Sequence, residues 1–213
     1  MTVTAKICGV STPEAVSAAL DGDARFIGLV FFAKSPRNIA LDAARRLAEP
    51  VRGRAKIVAL LVDPTDAQVD EVARGLGPDL IQLHGAEPPG RVHEIGQRAG
   101  AGIIKALPVS QAADLAAAAA YEPVVEHLMF DAKPPKGADM PGGLGVSFDW
   151  TLLAGRRFQR PWFLAGGLDP WNLGDAAKQS GARLVDVSSG VERGPGLKDP
   201  ALITAFLYAA RRA

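Results

Sequence analysis

Lys56-Ile57-Val58-Ala59-Leu60-Leu61-Val62 is an apolar run without polar alternation. Asp63-Pro64 interrupts it, and Thr65 or Asp66 can cap a helix over residues 67–74. A second apolar run, Leu80-Ile81-Gln82-Leu83, follows. A half-exposed antiparallel strand would alternate apolar and polar residues. Continuous runs suit parallel strands buried on both faces, joined by a crossover helix. The unit therefore reads as strand, helix, strand.

The same pattern recurs along the chain. Strands are expected at residues 5–8, 26–31, 56–62, 80–83, 103–107, 127–130, 162–165 and 184–187. Between them, residues 13–20 read as a helix with Ser11 or Thr12 as cap and Pro13 in the first turn. Residues 41–48 carry Leu41, Ala44 and Leu47 at helical spacing. Residues 111–120 form an alanine-rich helix that Ser110 can cap. Asp169-Pro170 and Asp199-Pro200 open two more helices. Eight strand–helix units in 213 residues predict an α/β fold, a single-domain (β/α)8 TIM barrel with parallel strands over residues 1–213. A doubly wound open sheet is the alternative, but no G-x-G-x-x-G or P-loop motif supports it.

Lys and Arg number 24 and Asp and Glu 23, a net charge of +1, so no global field steers the chain toward nucleic acid or a membrane surface. No apolar run approaches the ~20 residues of a membrane span, and no basic leader precedes an apolar segment. The one cysteine, Cys8, cannot form an internal disulfide, which fits a reducing, cytoplasmic setting. Three histidines without zinc-type spacing leave metal and cofactor sites unsupported. Monomer and homodimer are both compatible with the sequence.

Parallel strands share one carboxyl-terminal face, where barrels build their sites. Cys8 ends the first strand and Asp131 follows the sixth, so the fold would bring a thiol and a carboxylate to one mouth. An inert core role for Cys8 and a cap or ion-pair role for Asp131 are the competing readings. Lys6 would project to the same side as Cys8, one layer deeper. Gly166-Gly167 follow strand seven and Ser188-Ser189-Gly190 strand eight. Paired there, these turns point to a small phosphorylated ligand bound through backbone N–H groups. Arg37, beyond strand two, can hold a carboxylate or be a surface charge. His84, at the end of strand four, can bind a ligand or serve the structure. Lys133-Pro134-Pro135-Lys136-Gly137 and Gly142-Gly143-Leu144-Gly145 read as a lid or a plain loop.

Seven segments occur in order: Lys6-Ile7-Cys8-Gly9, Ser35-Pro36-Arg37, Gln82-Leu83-His84-Gly85, Phe130-Asp131, Phe148-Asp149-Trp150, Leu164-Ala165-Gly166-Gly167-Leu168 and Asp186-Val187-Ser188-Ser189-Gly190-Val191-Glu192. Together they resemble the phosphoribosylanthranilate isomerase family of tryptophan biosynthesis. Leu144 departs from the threonine usual after the paired glycines. The resemblance implies an Amadori rearrangement without metal or coenzyme. Cys8 would be the general base and Asp131 the general acid. Arg37 would bind the anthranilate carboxylate, and Gly166, Gly167, Ser188, Ser189 and Gly190 the phosphate. Asp186 would position sugar hydroxyls. Rival readings are another phosphosugar isomerase or epimerase barrel, and a phosphate-binding barrel without chemistry.

Overall fold

Eight parallel strands close into a barrel in chain order: β1 (Thr4–Cys8), β2 (Phe26–Val30), β3 (Lys56–Leu61), β4 (Leu80–Leu83), β5 (Gly102–Val109), β6 (His127–Ala132), β7 (Trp162–Leu164) and β8 (Leu184–Val187). The computed structural model describes residues 2–135, 137 and 140–213, so Lys136 of the loop singled out above lies outside them. Closure is made by β1 on β8, in register from Thr4↔Leu184 to Ile7↔Val187. Each expected strand is present within a few residues. One boundary differs in a way that matters. The carboxylate of Asp131 does not end β6, because the strand continues through it to Ala132. The barrel interior near its mouth accepts a polar side chain that a two-sided apolar core would refuse.

Helices cover the outside. Thr12 caps α1 (Pro13–Asp21), its side chain accepting from the Ala15 N–H at 3.3 Å. After α2 (Leu41–Ala48), Thr65 and Gln68 form a reciprocal capping box on α3 (Asp66–Leu76). A helix not expected from the sequence, α4 (Pro89–Ala99), follows β4. The alanine-rich segment is not one α-helix. It is a 3-10 turn over Ala112–Ala117, a single α-turn, α5 (Ala118–Tyr121), and another 3-10 turn. Ser110 is not its cap. Asp114 instead reaches back to accept from the Ser110 and Gln111 N–H groups. Among the described residues between β6 and β7 the only helical element is the 3-10 turn Trp150–Leu153, with no α-helix in the sixth unit. Helix α6 (Leu173–Ser180) starts after a turn in which Asp169 accepts from the Trp171 and Asn172 N–H groups. Beyond β8 come a small hairpin, β9 (Glu192–Gly194) with β10 (Leu197–Lys198), and α7 (Pro200–Arg212), which Asp199 caps.

Two apolar layers follow from the alternation of strand side chains. One lies between strands and helices and includes Ile7, Ile27, Leu29 and Phe130. The other fills the barrel with Val58, Ile104, Met129 and Phe163. Phe26 and Phe163 meet edge to face at 5.1 Å near the bottom and plug it. The open end is therefore the carboxyl-terminal one. Among the described residues no helix is long and apolar enough to cross a membrane.

Candidate active site

A single cavity at the carboxyl-terminal mouth is lined by Cys8, Arg37, His84, Asp131, Asp186 and Ser188, together with Gly166, Gly167 and Ser189. Of the residues singled out from the sequence, Gly190 does not line it, and neither does Lys6, which lies deeper. That glycine sits just behind, its backbone against the carbonyl of Leu168, where a Cβ would collide. The turns after β7 and β8 thus press together.

Cys8 is buried, in contact with Val30 and Leu60 at the top of the barrel interior. Its carbonyl accepts from the Ser188 hydroxyl at 3.2 Å, which pins the end of β1 to the turn after β8. Burial pushes the thiol above its usual value, and the Lys6 ammonium pulls it back in part. Lys6, fully buried, donates to Asp186 Oδ1 at 2.7 Å. Burial alone would lower its pKa, but Asp186 and then Cys8 outweigh that and hold it above the ordinary lysine value.

Across the mouth, Asp131 Oδ1 accepts from the Ala132 N–H at 2.8 Å, and Oδ2 stands 3.0 Å from His84 Nε2. Gln82 on β4, two residues before His84, which follows the end of that strand, places its Nε2 3.1 Å from Nδ1. The Gln82 Oε1 is buried and finds no partner among the described residues.

Arg37 is buried and already engaged. Its Nε and Nη2 donate to the two oxygens of Glu192 at 2.7 and 2.9 Å, and Nη2 also to the Gly143 carbonyl at 3.1 Å. Among the described residues no hydrogen bond occupies Nη1. Lys198 in turn holds Glu192 and donates to the Ser188 carbonyl at 3.0 Å. Burial opposes the charge on Glu192, yet Arg37 and Lys198 together keep its carboxyl below the ordinary value. Glu192 entered the sequence reading only as the end of a motif, and Lys198 not at all. Their meeting depends on the β9–β10 hairpin, which has no apolar signature.

The glycine loop lies over the mouth. A Cβ on Gly142 would come within 2.7 Å of both Asp131 Oδ2 and His84 Nε2, and one on Gly143 within 2.7 Å of Arg37 Nη1. Leu144 is 42% exposed at its tip. Gly166 and Gly167 have φ of 86° and 67°, a conformation that side chains rarely adopt. Among the described residues no hydrogen bond takes the N–H groups of Gly166, Gly167, Ser189 or Gly190. These amides form a ready cradle for an anion.

An eight-stranded parallel barrel with titratable side chains and unpaired amides at one mouth is the frame of a (β/α)8-barrel enzyme. Comparison with known proteins narrows that class. A family model described as N-(5'phosphoribosyl)anthranilate (PRA) isomerase matches residues 5–209. The N-(5'-phosphoribosyl)anthranilate isomerase of Caulobacter vibrioides is 65% identical over 98% of this chain and 96% of its own. That of Rhodospirillum centenum is 51% identical over 99% of both. Among solved structures, phosphoribosyl anthranilate isomerase from Thermotoga maritima superposes with a TM-score of 0.88 at 33% identity, over 99% of this chain and 100% of that one. Another, solved with reduced 1-(o-carboxyphenylamino)-1-deoxyribulose 5-phosphate, has a TM-score of 0.83 at 30% identity, with 99% and 100% coverage. The chain belongs to the N-(5'-phosphoribosyl)anthranilate isomerase family.

Proposed function

We propose a division of labour at the barrel mouth for the reaction of this family. That reaction is the Amadori rearrangement of N-(5'-phosphoribosyl)anthranilate to 1-(2-carboxyphenylamino)-1-deoxyribulose 5-phosphate, a step of tryptophan biosynthesis. The observation that carries the proposal is the placement of Cys8 and Asp131 on one cavity from strands β1 and β6.

Asp131 gives its proton to the furanose ring oxygen. The C1–O bond breaks, and the nitrogen lone pair forms the C=N bond of a cationic Schiff base. The thiolate of Cys8 takes the proton from C2, and the C–H electrons flow toward the iminium to give an enolamine. Tautomerisation then leaves the ketone at C2 and the amine at C1. The cationic nitrogen acts as the electron sink.

Asp131 must begin protonated and end ionised, and its neighbours suit both states. With the Gln82 amide donating to Nδ1, His84 carries its proton on Nε2 and donates to the carboxylate. Turning the Gln82 amide over presents Oε1 to Nδ1, so Nε2 becomes an acceptor for the protonated acid. The unpartnered Oε1 supports this pairing of states.

Arg37 Nη1 takes the anthranilate carboxylate. The amides of Gly166, Gly167, Ser189 and Gly190 take the phosphate, with Ser188 bridging the phosphate turn to Cys8. Asp186 faces the sugar, its second oxygen open to a hydroxyl while the first holds Lys6. The whole chain acts as one cytoplasmic catalytic domain, as a monomer or a homodimer. A Thermotoga maritima relative is described as dimeric.

The test is consumption of substrate made in situ from anthranilate and an activated phosphoribosyl donor. Parent enzyme should turn it over, and Cys8→Ala should not. Turnover of a different phosphosugar instead would favour one of the rival barrels.

A further inference from the structure

Lys6 is, with Lys105, among the largest fully buried side chains of the described residues, and no step above uses it. It lies on β1 two residues before Cys8, so both point into the barrel. The barrel interior also holds an apolar cluster of Val58, Ile104, Met129 and Phe163. A buried ion pair is weak evidence for stability, since apolar residues of similar volume commonly serve as well or better. A charged pair inside this barrel therefore calls for another reason.

Gly28, on the neighbouring strand β2, supplies a second observation. A Cβ there would stand 3.0 Å from the Cys8 sulfur and 3.1 Å from the Lys6 nitrogen. Glycine leaves that hollow empty, with Sγ and Nζ on its two sides. The two atoms are thus within about 6 Å of each other, the range over which a cation favours a neighbouring anion. Asp186 engages only one of the three ammonium N–H donors and fixes the direction of the charge.

We propose that Lys6 is a positioning residue for catalysis, a fixed cation that stabilises the Cys8 thiolate across the hollow left by Gly28, with Asp186 as its anchor. The inference rests on the reading of Cys8 as the base. Lys6 touches no substrate and acts through the sulfur. The charged and titratable groups around Cys8 are Lys6 on its own strand, Asp186 on β8 and Lys198 on β10, with Arg37, His84 and Asp131 lining the same cavity. Apart from burial, which raises the thiol, Lys6 is the strongest influence and lowers it. Asp186 raises it, and Lys198 adds a weaker lowering. Lys6 and its anchor therefore act in opposite directions on the sulfur.

The experiment is the pH dependence of alkylation by iodoacetamide, read by mass spectrometry. Cys8 is the chain's one cysteine, so every label reports on it. Lys6→Met should move the titration midpoint up by about one unit, which is about tenfold slower labelling at neutral pH. Asp186→Asn should move it down. Loss of packing alone would shift both variants the same way, and that result overturns the proposal, as does an unchanged midpoint in Lys6→Met. Should Lys6→Met fail to fold, the near-isosteric Asp186→Asn decides alone, with a midpoint unchanged or raised counting against the proposal. The base reading fails separately, through a Cys8→Ala enzyme that still turns over, because alkylation does not depend on turnover.

Discussion

Arg37 reaches the mouth with most of its donors already committed to Glu192 and Gly143, and this fixes the guanidinium plane before any ligand arrives. In the proposed reading its role is in binding, because the anthranilate carboxylate does not change charge in the reaction. Arg37→Ala should raise KM by about ten- to a hundredfold, the worth of a charged hydrogen bond, with a smaller loss in kcat. Arg37→Lys should recover part of it, since an ammonium cannot keep both the Glu192 fork and the carboxylate. An unchanged KM in Arg37→Ala would move carboxylate recognition elsewhere. For the acid and the base the expectation is different. Cys8→Ala and Asp131→Asn should each nearly abolish turnover while circular dichroism stays native. Their double variant should be scarcely worse than either, because both groups serve one reaction. Glu192 adds a pH effect. Its folded carboxyl lies below the ordinary value, so its stabilising contribution is complete above about pH 4.3, the unfolded value. It is lost as the pH falls through the lower folded value. Urea midpoints measured from pH 6 downward should show this fall in the parent, and Glu192→Gln should flatten it.

At the scale of elements, the turns after β7 and β8 work as one unit. Gly190→Ala should push the second turn off the Leu168 carbonyl and spoil the amide cradle. Inorganic phosphate should compete with substrate in the parent, and the variant should lose that inhibition while raising KM. Equal inhibition in both would place the phosphate elsewhere. The strands were legible because both their faces are buried, which writes continuous apolar runs into the sequence. Helix α4 was not. It buries only Val92 and Ile95 and opens on Pro88-Pro89-Gly90, so it has neither a stripe nor a polar cap to announce it. The alanine run erred the other way. Its propensity is high, but only Leu115 and Ala118 are buried there and Pro123 ends it, so packing selects tight 3-10 turns. Cys8 and Asp131 stood out because each is a reactive side chain at the end of an apolar run in the sequence. The pairs Lys6–Asp186 and Glu192–Lys198 could not, since one depends on barrel closure and the other on a hairpin of a few polar residues.

For the whole molecule the critical junction is the seam where β1 meets β8. Helix α7 seals it, packing on α1 and β1 through Ile203, Phe206, Leu207 and Ala210. The Val3 N–H donates to the Ala210 carbonyl at 3.0 Å, and Arg211 donates to the Gly22 carbonyl at 2.9 Å. Phe206→Ala should cost about 3–5 kcal/mol of stability by opening a cavity behind the seam. Chemical denaturation should show the loss, with kcat of the folded fraction little changed because Phe206 does not line the mouth cavity. A neutral effect would mean that the barrel closes without its last helix. The seam also sets a schedule for synthesis. Cys8 leaves the ribosome 180 positions ahead of Ser188, whose hydroxyl bonds to its carbonyl. At about 5–20 residues per second, the thiol waits roughly 10 to 40 seconds for its neighbours. Until β8 docks, the nascent chain carries an unshielded cysteine and no assembled site, and catalytic power arrives in one step with the closing strand.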